Sequence, residues 1–114
     1  MTNNKSSEFC DRRQELAEYG RLLSHPARIA IIELLAKEKE IMTGNISDLL
    51  PLKRTTVSQH LKELRNAGII LGNIDGLKVH YCLNMTKLKE IQTKLNKLFE
   101  DSISNYVCTC DCDC

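Results

Sequence analysis

Four of the six cysteines close the chain, with Cys108, Cys110, Cys112 and Cys114 alternating with Thr109, Asp111 and Asp113. Thiolates are soft donors, so this cluster selects thiophilic species such as Zn, Cu(I) and, by the same softness, trivalent arsenic or antimony. In an extended strand cysteines at i and i+2 share a face but stand about 7 Å apart, so one tail chelates only through a tight turn or with help from another segment. The tail is therefore expected to be flexible and to order on binding, the ordering cost being offset by strong metal–sulfur bonds. Cys10 is the first candidate helper: Ser6 or Ser7 can cap the first helix and place this thiol in its first turn, where free backbone N–H groups favour thiolate. Cys82 sits in an alternating segment and reads as a small structural residue.

A second set of residues suits nucleic acid. With Val57 at zero and about 100° per residue, Leu61 falls near 40° and Leu64 near 340°, a narrow apolar stripe. Thr55, Gln59, Lys62 and Asn66 fall on the opposite side, between about 140° and 200°. Hydroxyl, amide and cationic groups together can donate to and accept from base edges and phosphates. Charge is distributed to match: residues 1–52 carry 7 basic and 8 acidic side chains, residues 53–94 carry 8 and 3, and residues 95–114 carry 1 and 4. The formal net charge of +1 conceals a basic middle.

The elements that must position these groups follow from periodicity. Phe9, Leu16, Tyr19 and Leu23 predict an amphipathic helix from about Glu8 to Leu23, and Ser24-His25-Pro26 punctuates it. Ile29, Ile32, Leu35 and Ala36 predict a second helix ending near Lys39, Asn45 to Leu50 a short third, and Thr55 to Ala67 a fourth stopped by Gly68. The period then turns to alternation. Ile69-Ile70-Leu71 and the Leu77, Val79, Tyr81, Leu83 set predict two strands joined by a tight Asp75-Gly76 turn. Leu88, Ile91, Leu95 and Leu98, followed by Phe99 and Ile103, predict a long last helix. The order α-α-α-α-β-β-α is a winged helix-turn-helix, mainly helical with one small hairpin. Residues 1–107 are expected to form a single domain, and residues 108–114 the flexible Cys-rich tail.

A chain of 114 residues supports one modest core and gains from burial against a second copy. No window approaches the roughly 20 apolar residues of a membrane span, and the expectation is a soluble cytoplasmic protein that does not act on membranes. Phosphate loop, Cys-x-x-Cys and Ser/His/Asp patterns are missing, so no enzymatic activity is expected.

Three stretches carry a family resemblance: Ser24-His25-Pro26-Ala27-Arg28-Ile29, TTVSQHLKELRNAGII from Thr55 to Ile70, and VHYCLN from Val79 to Asn84. Over about residues 15–100 the chain resembles the ArsR/SmtB family of bacterial metalloregulatory repressors. The resemblance implies a homodimer built on the first and last helices, a fourth helix entering the major groove, and an inducer that releases the protein from its operator. Two-fold symmetry would set the recognition helices roughly 34 Å apart on double-stranded DNA with an inverted repeat. Thr56, Ser58, Gln59 and His60 are the candidates for base edges or nearby phosphates, with Thr55 beside them. Lys53, Arg54, Lys62 and Arg65 supply backbone charge, and Lys78 reaches out from the wing.

The sensing site departs from the family's best-known patterns. Arsenic and cadmium sensors often carry Cys-Val-Cys at the start of the helix-turn-helix, but here that stretch reads NISDLLPLKR. Zinc sensors commonly place His and carboxylate ligands on the last helix, yet residues 86–105 hold no histidine. What remains is thiolate chemistry: Cys108, Cys110, Cys112 and Cys114, with Cys10. Up to three sulfurs suit arsenite or antimonite, and four suit Zn or Cd. Asp111 and Asp113 attract a dication, whereas the pure sulfur supply fits arsenic. Arsenite or antimonite is the favoured inducer, with cadmium, zinc or lead as alternatives. Disulfide-based oxidant sensing, or a tail that only buffers metal, are the other expectations to separate.

Overall fold

The computed structural model describes residues 8–39, 41–76 and 78–106. Eight elements follow in order: α1 (Asp11–Leu22), α2 (Pro26–Glu38), β1 (Ile41–Met42), α3 (Thr43–Asp48), α4 (Arg54–Asn66), β2 (Ile70–Asp75), β3 (Lys78–Leu83) and α5 (Met85–Asn105). Five helices and the β2–β3 hairpin are those expected, and β1 is an addition. Its two residues pair antiparallel with the hairpin, Ile41 opposite Tyr81 and Met42 opposite His80, giving the sheet order β1-β3-β2. A two-residue bridge has no periodicity to read in a sequence.

Local chemistry sets most boundaries. Pro26 occupies the first turn of α2, where its missing N–H costs nothing. At the end of α4, Gly68 adopts φ 80°, the Gly68 N–H donates to the Arg65 carbonyl at 3.0 Å, and the Ile69 N–H donates to Leu64 at 3.0 Å. These two bonds form a Schellman closure, which glycine permits because it carries no Cβ penalty there. Asn84 caps α5 by accepting from the Lys87 N–H at 3.3 Å, and its own N–H donates to Ile69 at 2.9 Å. One loop thus ties the end of α4 to the start of α5.

Three expectations shift. The first helix begins at Asp11 rather than Glu8, leaving Phe9 exposed before it, and Tyr19 and Leu22 carry its buried face. The third helix lies two residues earlier than Asn45–Leu50, because the chain enters it directly from β1. The hairpin strands run through Asn73 and Ile74, with Asp75 opposite Lys78, and Gly76 just after β2 takes φ 64°. Within α2, Ile31 and Leu35 fill the core while Ile29 is exposed and Ile32 is only half-buried.

The core joins all five helices and the sheet, α5 through its first half, with Ile31, Leu35, Ile46, Val57, Leu61, Leu64, Ile69 and Ile70 almost fully enclosed. The long helix α5 leans on α1. Lys94 bridges Glu15 and Glu90, and these carboxylates hold its ammonium pKa well above the usual lysine value. Asp11 and Arg12 share a groove with Lys97, so α1 and α5 run antiparallel. No described helix is long and apolar enough to cross a membrane.

Candidate nucleic-acid interface

The helix-turn-helix is α3, the turn through Pro51 and Leu52, and α4. Val57, Leu61 and Leu64 point inward as the narrow stripe requires. Burying that stripe fixes the rotation of α4 and turns Thr55, Ser58, Gln59, Lys62 and Arg65 to solvent. Lys53 stands at the N-cap and Arg54 opens the helix, both exposed. Free first-turn N–H groups beside two cations make this end of α4 attractive to phosphate. Arg54 approaches Asp48 at 3.8 Å with both side chains mostly in solvent, a pair too exposed to hold the guanidinium against a phosphate. Glu63, the one acid on α4, is engaged by Arg21 of α1 at 3.5 Å. The exposed polar face is therefore positive.

Beside α4 stands the wing. Lys78 is exposed at the start of β3. Gly72 lets the wing strand approach the recognition helix: a Cβ placed there would meet Tyr81 Cε1 at 3.2 Å and Arg65 Cδ at 3.3 Å. The stem of Arg65 thus lies along the wing while its head faces water.

Two of the expected contact residues are less open. Thr56 is half-buried, and so is His60, whose ring turns toward α2. Arg28 Nε donates to His60 Nδ1 at 3.1 Å, and the His25 and His60 ring centroids lie 5.1 Å apart. Burial, then the Arg28 charge, then His25 push the His60 pKa below its ordinary value and keep the ring neutral. Arg28 was not singled out from the sequence, yet it is only 6% exposed and spans three helices, its Nη1 reaching the Leu22 carbonyl at 3.5 Å. The signal was present: Arg28 precedes the buried Ile31 and Leu35 by three and seven residues.

The cysteines are only partly placed. Cys10 is exposed and is itself the N-cap of α1, not a first-turn residue; Ser6 and Ser7 lie outside the described residues. Its side chain closes no capping hydrogen bond, yet the nearby Arg13 backbone N–H, followed by the Arg13 and Arg12 charges, lowers its pKa. Cys82 is half-buried on β3 opposite Leu71, on the face away from Tyr81, as expected for a small wing residue. Cys108, Cys110, Cys112 and Cys114 lie outside the described residues. Among the described residues, no group of three or more His, Cys, Asp or Glu side chains could hold a metal ion.

A positive recognition helix, its supporting helix and an adjoining wing define a winged helix-turn-helix DNA-binding domain. Residues 23–72 match the family model described as a helix-turn-helix domain. The transcriptional repressor PagR of Bacillus anthracis is 34% identical over 82 residues, 72% of this chain and 82% of PagR. Its crystal structure superposes with a TM-score of 0.57 at 32% identity, covering 75% of this chain and 93% of that one. An uncharacterised helix-turn-helix-type regulator of Mycobacterium tuberculosis is 31% identical over 91 residues, 80% of each chain. An ArsR-like regulator from Rhodococcus shares the fold with a TM-score of 0.71 at 20% identity, over 83% of this chain and 89% of that one. The chain belongs to the ArsR/SmtB family of helix-turn-helix transcriptional regulators.

Proposed function

We propose that the protein is a homodimeric cytoplasmic repressor that holds an inverted-repeat operator and lets it go when arsenite or antimonite is captured by Cys108, Cys110, Cys112 and Cys114, with Cys10 assisting. The observation that carries the DNA half is the uninterrupted positive polar face of α4 beside the wing, its one acid drawn off by Arg21. In this reading Gln59 and Ser58 contact base edges with Thr55 and Thr56 beside them, and Lys53, Arg54, Lys62, Arg65 and Lys78 contact phosphates, a division that their exposure on α4 and the wing supports. His60, turned toward Arg28, acts by setting the seat of α4 rather than as a free contact.

The sensing half rests on donor chemistry and reach. Soft thiolates form strong bonds to trivalent arsenic or antimony. Glu15 stands against Lys94, and Asp11 and Arg12 stand near Lys97, which puts Cys10 roughly 10 Å of helix short of the end of α5. Residues 107–114 at about 3.3 Å each are long enough to return over that distance. Coupling of about 1–3 kcal/mol from such a site would weaken operator binding roughly 5-fold to 150-fold. Asp111 and Asp113 favour a second version in which a dication, cadmium, zinc or lead, is the inducer.

The test is a titration of arsenite, antimonite, cadmium, zinc, lead and peroxide into the reduced full chain on an operator selected from random-sequence DNA. Near-stoichiometric arsenite or antimonite should release the DNA, and removal of residues 108–114 should abolish the response while sparing affinity. Release by a dication alone selects the second version, release by peroxide alone a disulfide sensor, and induction that survives the deletion discards the tail site. Independently, Lys62→Ala should reduce the salt slope of DNA binding by about 1, and Gln59→Ala should cost roughly 1–3 kcal/mol at one base position.

A further inference from the structure

A cleft of about 430 Å³ opens between the first two turns of α2 and the α3–α4 turn, with His25 and His60 on its wall. That volume lies within the range of small-molecule sites. Apart from the two imidazoles its lining is apolar: prolines 26 and 51, two alanines of α2, and Leu50 and Leu52 of the turn. Proline rings and alanine methyls are apolar surfaces against which an aromatic ring can pack.

Two polar features meet this apolar space, the N-terminus of α2 and the imidazole of His60, and the Arg28 charge behind His60 adds to their attraction for an anion. The N-cap of α2 is His25, which makes no side-chain cap, so the first-turn N–H of Ala27 is left to another acceptor. The dipole of the thirteen-residue α2 adds to that attraction. Arg28 lies buried directly behind His60. Because Nδ1 of His60 accepts from Arg28, the neutral ring carries its proton on Nε2 and presents a donor. Among the described residues, no carboxylate lines the cleft.

We propose that this cleft binds a small planar aromatic acid, its ring between α2 and the α3–α4 turn and its carboxylate at the His25, His60 and α2 N-terminal edge. Neither Cys10 nor Cys82 lines this cleft, and the proposal does not depend on the sensing chemistry proposed for the tail. An occupant would wedge between α2 and the helix-turn-helix, the joint that sets how α4 is presented.

The probe is 2-naphthoate, titrated into the reduced full chain while the imidazole resonances of all three histidines are followed by NMR. His80, on β3 and outside the cleft lining, is the internal control. Saturable shifts of His25 and His60 with half-saturation below about 1 mM, and a still His80, are expected. Ala30→Leu, which fills the cleft from α2, should weaken binding at least about tenfold; Leu52→Ala, on the exposed turn, should weaken it independently and guards against misfolding of the first variant. Neutral 2-naphthylmethanol should bind at least about tenfold more weakly than the acid. The proposal is overturned by no saturable shift, by equal movement of His80, by unchanged affinity in both variants, or by equal binding of the alcohol. Inorganic phosphate shifting the same resonances as strongly would mean a bare anion site and would also overturn it.

Discussion

His60 shows how one side chain of a helix-turn-helix can be tied into the protein's own frame. Its Nδ1 accepts from Arg28, and burial together with that cation depresses its pKa from the ordinary 6.5. A base whose folded pKa is depressed binds its proton more readily in the unfolded chain, so the folded state loses stability as pH falls below 6.5 and holds it in full above that value. His60→Gln keeps an acceptor for Arg28 but does not titrate. Urea unfolding measured between pH 7.5 and pH 5 should show a smaller acid-side loss in that variant than in the native chain; parallel curves would remove His60 from the account. The inward turn of His60 could have been read from the helical wheel, where it falls near 300°, about 40° from Leu64. Residue type suggested a DNA contact, and angle gives the better guide. Cys10 is the converse case. Its thiol type was informative, but its role as the cap depended on where α1 starts, and boundaries are set by local competition that a periodic pattern does not resolve.

At the scale of elements, the readable features were those with a backbone signature. Gly68 after an apolar stripe announces the Schellman end of α4, and Asp75-Gly76 between alternating segments announces the hairpin. Gly72 carried no such mark. It lies inside β2 with its importance set by a neighbour seven residues earlier, Arg65, and by Tyr81 across the ladder, and neither contact is periodic. Strand β1 escaped for the same reason, since its two residues acquire meaning only from β3. The close approach at Gly72 couples wing to recognition helix. Gly72→Ala forces the buried Tyr81 ring and the Arg65 stem to give by a few tenths of an ångström, and overpacking of this kind costs about 1–3 kcal/mol. The variant should unfold at lower urea, and its affinity for DNA should drop by about as much as that of Arg65→Ala. A drop in stability with DNA affinity untouched would mean that Arg65 does not work from its position along the wing.

For the molecule as a whole, the unbalanced part is α5. Leu88, Ile91 and Leu95 face the core as their spacing requires, but farther along Phe99 and Ile103 of α5 and Tyr106 at its C-cap are 58%, 75% and 59% exposed at intervals of four and three. An exposed apolar stripe repeating at about one helical turn along the outer part of α5 is the surface the proposed dimer would use. A two-fold interface uses each residue twice, so a single substitution acts on both protomers. Burying one isoleucine is worth about 1.5–3 kcal/mol, so Ile103→Lys should raise the dimer dissociation constant by roughly 100-fold or more through two lost contacts, before any charge repulsion is added. Analytical ultracentrifugation across a concentration series reads that shift directly. DNA binding should follow it: the variant should lose affinity for a two-half-site operator at low protein concentration and recover it as concentration rises, because α4 itself is intact. A variant that stays dimeric at native concentrations would place the interface elsewhere. One that dissociates yet binds the operator undiminished would show that the two recognition helices do not act as a pair.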